Sequence, residues 1–330
     1  THDGRGYWVI ALLMPLEDGY LSVRIKPISP LFDNIKHIYA DISAAEQSEG
    51  ISIETSQERL VAAICNMGYA NYDAFMMDAF SQEFKQRSLA ISPKLKGYFG
   101  DVERIIGALR QIETCQGALL GAVESLRDLP TNMRIVASRL EPSGGPLSAM
   151  SDIYNSTSSV LFREITEFAL GQNSISKRMR ASFERAIFLR NACLLLGETV
   201  ASTAKEDLQA HGVDTKAEAE ILANLMMVYE AQDRAALQQA ERLAQEMNRA
   251  SYDLRRSMLG LDTIRVMGLV ESGRLGPEGS RIGATMDQIG QCHDEIVKLL
   301  QRIKDSASIV NAGVTGLRMY RQKPAALAAG

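Results

Sequence analysis

Apolar positions alternate at a period of two only near the start of this chain; from Pro30 onward they recur every three to four residues. Gly6-Tyr7-Trp8-Val9-Ile10-Ala11-Leu12-Leu13-Met14 is rich in strand formers and is expected to end at Pro15. Glu17-Asp18-Gly19 supplies a hairpin turn, and Tyr20-Leu21-Ser22-Val23-Arg24-Ile25-Lys26 again alternates. Two strands alone do not make a stable sheet in water, so the hairpin is expected to need the rest of a domain whose other strands are not in this sequence.

The remainder reads as helix. Residues 31–48 place Ile35, Ile38, Tyr39 and Ile42 on one face. Thr55-Ser56-Gln57-Glu58 has the form of a capping box and predicts a second helix from there to about Tyr69. Asn71 can cap a third ending near Ile91, and Ser92-Pro93 can open a fourth. In that fourth helix Val102, Ile105, Leu109, Ile112, Leu119, Val123 and Leu126 form a coiled-coil seam, with Gln116 at the missing seam position. Pro130 should kink or break it. The run Pro142-Ser143-Gly144-Gly145-Pro146 predicts a sharp reversal. A second helical stretch then continues to His211-Gly212, with Tyr154, Leu161, Ile165, Met179, Phe183 and Ile187 among its apolar positions. Thr215-Lys216-Ala217-Glu218 opens a very long helix to about Val270, and a Gly/Pro-rich turn at 271–279 leads into a last one carrying Ile282, Met286, Ile289, Ile296, Leu299 and Ile303. The pattern predicts a mainly α chain of long antiparallel helical hairpins in a coiled-coil bundle. Its boundaries are two strands over 1–29, a helical connector over 30–91, a first long hairpin over 92–212 turning at 142–146, a second over 213–321 turning at 271–279, and a flexible tail over 322–330.

Composition narrows the function classes. Hydrophobic residues make up 46% and aromatics only 6%, which suits Leu/Ile/Ala/Met-rich helix packing better than an aromatic-walled pocket. A net charge of −4 with mixed signs gives no footprint for nucleic acid. No segment approaches the roughly 20 apolar residues that span a bilayer, so no membrane insertion is expected. Thr1 opens the chain without an initiator methionine or a basic leader, as a chain whose beginning has been lost would. The scattered cysteines Cys65, Cys115, Cys193 and Cys292 read as buried thiols in a reducing, cytoplasmic compartment.

The four histidines are distant from one another, and no metal centre is expected. Cys292-His293 is the one close pair, but adjacent helical residues point about 100° apart, so a buried cysteine beside an exposed histidine is expected. No phosphate-binding loop, nucleophile elbow or zinc-protease motif is present, and no catalytic residue is assigned. Met76-Met77 and Met226-Met227 read as core filling, although exposed methionines can form an adaptable docking surface. Enzyme activity is not expected.

Two segments carry resemblances. Gly6-Tyr7-Trp8-Val9, followed by Gly19-Tyr20-Leu21-Ser22-Val23-Arg24 and Lys26-Pro27, resembles the last two strands of a PAS domain of the aerotaxis-receptor type. The resemblance implies a remnant of a sensory sheet that can hold a flavin. Trp8 would then fall on that sheet and line the cofactor cleft, or serve as ordinary packing of its face. No cofactor is expected in this chain, whereas FAD is possible if a complete PAS domain precedes it. The second segment, Asn132-Met133-Arg134-Ile135-Val136-Ala137-Ser138-Arg139-Leu140-Glu141, is similar to the signalling tip of chemoreceptors, a hairpin that contacts a histidine kinase and its coupling protein. Arg134 and Arg139 depart from small or apolar positions of that motif, and Ala137 replaces its second asparagine.

These resemblances imply a cytosolic PAS-linked, chemoreceptor-like signalling protein that acts through a dimeric helical bundle. The alternative is a structural or assembly scaffold that has lost sensing and kinase control. In either case the partners are a second copy of the chain and a protein docking on Asn132, Arg134, Arg139 and Glu141; a kinase complex is the partner in the first.

Overall fold

The computed structural model describes residues 7–16, 19–69, 71–91, 96–127, 129–140, 145–171, 174–203 and 215–321. The protein is mainly α, with one two-stranded antiparallel sheet among the described residues. Strands β1 (Ile10–Leu16) and β2 (Gly19–Ile25) pair so that Ile10 faces Ile25, Leu12 faces Val23 and Met14 faces Leu21. β1 starts and ends later than its sequence pattern predicts. Pro15 lies opposite Tyr20 inside the ladder, because a two-stranded sheet has only edge strands and edges tolerate proline. Trp8 therefore precedes the strand instead of lying on it.

Nine α-helices follow among the described residues: α1 (Pro30–Glu49), α2 (Ile53–Asn66), α3 (Tyr72–Ile91), α4 (Lys96–Leu126), α5 (Leu129–Leu140), α6 (Pro146–Leu170), α7 (Ile175–Thr203), α8 (Thr215–Arg274) and α9 (Ser280–Arg321). The start of α2 corrects the sequence reading. Ser52, not Thr55, is the cap, its hydroxyl accepting from the Thr55 amide at 3.3 Å. Asn71 caps α3 as expected, accepting from the Ala74 amide at 2.8 Å. Pro130 separates α4 from α5 by falling in the first turn of the new helix, where its missing N–H is not needed. The expected cap at Ser92-Pro93, residues 142–144 of the predicted reversal, the helix end at His211-Gly212 and the tail over 322–330 lie outside the described residues.

The described residues form two compact units, each drawing on separated stretches of chain: Thr1–Phe99 with Phe183–Leu237, and Gly100–Ser182 with Gln238–Gln322. In the first unit the sheet's covering layer is helical. Leu12, Met14 and Ile25 are buried against Phe80 and Phe84 of α3, Leu189 and Leu196 of α7, and Leu222 of α8. A hairpin that is marginal alone gains its apolar partner from helices of the same unit. A second cluster joins Leu31 and Ile35 of α1, Ile64 of α2 and Phe75 of α3. Glu83 on α3, fully buried, accepts the amides of Ile28 at 2.7 Å and Ser29 at 2.8 Å. This carboxylate does what the Ser29 side chain does not: it satisfies orphan donors at the start of α1, where the helix dipole favours negative charge.

The second unit is a helical bundle. All seven apolar seam residues of α4 are buried, and so is Gln116, whose amide donates to the Phe168 carbonyl of α6 at 3.0 Å. Helix α9 buries Ile282, Met286, Ile289, Ile296, Leu300 and Ile303. It runs so close to α4 at Gly313 that a Cβ there would lie 2.6 Å from the Ile105 side chain. The α4 seam is thus covered within the chain and needs no second subunit to shield it.

Candidate functional site

Trp8 stands just before β1 and packs edge-on against two α1 rings, Phe32 at 5.6 Å and Tyr39 at 5.9 Å between centroids. It remains 43% exposed. Burial, with help from Tyr72, pushes the Tyr39 phenol up to about 12, so the ring stays neutral beside the indole.

The expected docking residues Asn132, Arg134 and Arg139 lie on α5, which packs against α6. Asn132 and Arg134 are exposed on α5, and Arg134 reaches Asp152 of α6 at 3.3 Å. Both partners of that pair are more than half exposed, so it adds little stability and leaves the guanidinium accessible. Arg139 belongs to α5, but its side chain, like the whole of Glu141, lies outside the described residues. Beside this hairpin a polar groove of about 560 Å³ is lined by Arg127, Thr131, Asn155, Ser159 and Arg163.

The most chemically elaborate cluster in the second unit is one the sequence reading reversed. His293 is only 3% exposed and Cys292 is the partly exposed neighbour. Periodicity explains the exchange: Ile289, His293, Ile296 and Leu300 share the buried stripe of α9, and position 292 falls beside it. Cys65 is likewise exposed, while Cys115 and Cys193 are buried as expected.

His293 meets Tyr154 of α6, buried completely, with the phenol oxygen 2.8 Å from Nε2. The two rings stack at 5.9 Å with an interplanar angle of 12°. On the other side Nδ1 lies 3.4 Å from Asp262 Oδ1, which accepts a 2.6 Å hydrogen bond from Arg265 Nε on the same helix, α8. Gly290 makes room for that guanidinium, since a Cβ there would stand 3.0 Å from Arg265 Nη1.

Burial drives the Tyr154 pKa well above that of a free phenol and the His293 pKa below the ordinary imidazole value. The hydrogen bond from Arg265 holds the Asp262 carboxyl low. Tyr154 therefore keeps its proton and donates to Nε2, and neutral His293 carries its own proton on Nδ1, toward Asp262. With both rings shut away from solvent, this layer cannot meet a substrate; it fixes which faces of α6, α8 and α9 lie against each other. A tyrosine at an apolar position and a histidine in phase with isoleucines were its sequence signals.

Among the described residues no group of three His, Cys, Asp or Glu side chains could hold a metal ion. No helix among them is long and apolar enough to cross a membrane. No protein-family model matches the chain, and no curated protein is significantly similar to it in sequence.

Proposed function

We propose that this chain is a cytosolic, PAS-linked, chemoreceptor-like signalling protein that works through helix–helix contacts in a homodimer rather than by catalysis. The observation that supports it best lies on α8. Tyr252, Leu259, Val266 and Val270, seven, seven and four residues apart, are 45% to 65% exposed, while Leu254, Met258 and Leu261 of the same helix are buried. Seven-residue spacing is the signature of a face that meets another helix. Fully burying such side chains stabilises by about 1.5–3 kcal/mol each, and a second copy brings the same stripe.

Light scattering after size exclusion is expected to give a dimer at micromolar concentration. Leu259→Glu with Val266→Glu is expected to give a monomer of unchanged helicity, because both positions already face solvent. A compact wild-type monomer would end this reading.

One observation favours the assembly-scaffold reading instead. Helix α6 carries a second exposed pair seven residues apart, Ile153 and Val160. Two different sticky faces per subunit build open polymers rather than closed dimers. Growth beyond the dimer with rising concentration, abolished by Ile153→Glu, would select the scaffold.

In both readings the α5–α6 hairpin is the docking surface for another protein. Its exposed arginine suits an acidic partner, because the planar guanidinium fork binds carboxylates in pairs. Arg134→Glu with Arg139→Glu is expected to abolish capture of a kinase–coupling-protein complex, or of a second copy, while circular dichroism stays unchanged. Retained binding by a folded variant would remove the hairpin from the interface.

A further inference from the structure

A pocket opens at the edge of the first unit's sheet–helix core, where β1 meets α3 and α7. It has a volume of about 420 Å³, within the range of roughly 300–1,000 Å³ usual for small-molecule sites. Its wall on one side is β1, including buried Leu12; on the other stand Met76, Met77 and Phe80 of α3 with Phe188 of α7. Three separate elements converge on it, so the cavity is a product of the fold and not of one side chain's rotamer. Met76 packs against the α1–α2–α3 core cluster as the sequence predicts, and it also lines this opening together with half-buried Met77. Their unbranched, polarizable chains suit a wall that must adapt to an apolar guest.

One lining residue is charged. Arg185 of α7 stands at the exposed side of this apolar space. Among the described residues its hydrogen bond is to the neutral side-chain oxygen of Gln232, at a long 3.4 Å. Among the described residues no carboxylate pairs with it, whereas Arg87 and Arg180 each have a glutamate partner. A guanidinium at the mouth of an apolar pocket, without an anion of its own, recognises an anionic head on an apolar body.

We propose that this pocket binds an amphipathic carboxylate, its hydrocarbon or aromatic portion lying between β1 and the Met76, Met77, Phe80 and Phe188 side chains, and its carboxylate paired with Arg185. The assignment is independent of the signalling reading. It would supply the first unit with a ligand whether the chain relays signals or assembles.

The probe is decanoate, titrated calorimetrically into the full chain below its micellar concentration, with decylamine as the charge-reversed control. One saturable decanoate site is expected, with decylamine binding at least tenfold more weakly. Arg185→Gln is expected to weaken decanoate on the order of tenfold by removing the charged hydrogen bonds. Met77→Trp, at a half-buried lining position of α3, fills the space while leaving Arg185 in place, and is expected to abolish binding. Arg185 is exposed and Met77 half-buried, and circular dichroism of each variant reports that the fold is retained. Absence of saturable binding by the wild type overturns the proposal. So does unchanged affinity in Arg185→Gln, which would mean that apolar contact alone holds the chain, or unchanged affinity in Met77→Trp, which would place the ligand elsewhere.

Discussion

Replacing Glu83 by Ala is expected to destabilise the first unit by about 1–3 kcal/mol, one of the two largest effects expected here, because the buried Ser29 amide and the part-buried Ile28 amide lose their acceptor together. The carboxylate reaches the Ile28 and Ser29 N–H groups from α3, more than fifty residues away in sequence. No local substitute exists, since the Ser29 side chain makes no capping bond. The loss therefore combines unsatisfied donors with a helix start deprived of its compensating charge. Glu83→Gln is expected to cost less. It keeps one acceptor oxygen but turns an NH₂ group toward the second amide, which then has nothing to bond. Denaturant titration measures the difference, and hydrogen exchange at Ile28 and Ser29 localises it. Protection of those two amides that survives in Glu83→Ala would show that another group caps α1.

The buried layer of Tyr154, His293, Asp262 and Arg265 leads to the second large effect, together with a pH signature. Tyr154→Phe removes the hydroxyl that Nε2 accepts from and leaves a buried ring nitrogen without a partner, at a cost of about 1–3 kcal/mol. His293→Leu is expected to cost a similar amount by stranding the phenol. The double variant replaces both polar partners by apolar groups, so its cost should fall below the sum of the two singles. A coupling on the order of 0.5–3 kcal/mol is expected from the double-mutant cycle. Strict additivity would mean that the two side chains do not share a hydrogen bond.

The pH dependence has a definite sign. Burial holds the folded His293 pKa below its ordinary 6.5, against the opposing pull of Asp262. Between those two values the unfolded chain binds a proton that the folded chain refuses, so stability falls as pH drops below about 6.5 and is unaffected by this group above it. Asp262 acts lower on the scale. Its carboxyl is held below the ordinary 3.8, chiefly by Arg265, and the stability this gives is present above that value and lost as pH falls beneath it. His293→Leu is therefore expected to flatten the profile between pH 5 and 7 while leaving the acid limb in place. A wild-type profile already flat across that interval would contradict a buried neutral imidazole.

The helical elements were legible in the sequence because their cause is local. Three-to-four spacing from Val102 to Leu126 set the buried face of α4, Gln116 included, and the same period set the Ile282–Ile303 stripe of α9. The Asn71 cap and the strand-rich hairpin were equally readable, since a capping side chain and a two-residue alternation act over a few residues. The boundaries that slipped are those where two local signals compete. Ser52 and Thr55 are both good caps, and Pro15 stops a central strand but not an edge.

What only the tertiary structure decided depends on residues far apart in the chain. The α4 seam, an apolar stripe from sequence, is closed by the chain's own helices, and the stripe left open lies instead on α8 at Tyr252, Leu259, Val266 and Val270. Met76 and Met77 line a pocket because β1 and α7 come to lie opposite them. Glu83 looks like one more charged residue on α3 until the start of α1 is brought to it. The sequence places Cys292 inward and His293 outward, because adjacent helical residues point about 100° apart; the fold reverses the pair, and Tyr154, 139 residues away, is the partner of the buried His293. Periodicity reports which face of a helix turns inward. It carries no information on which side chain of another helix will be waiting there, because that is set by how the elements pack and not by any short-range preference of the backbone.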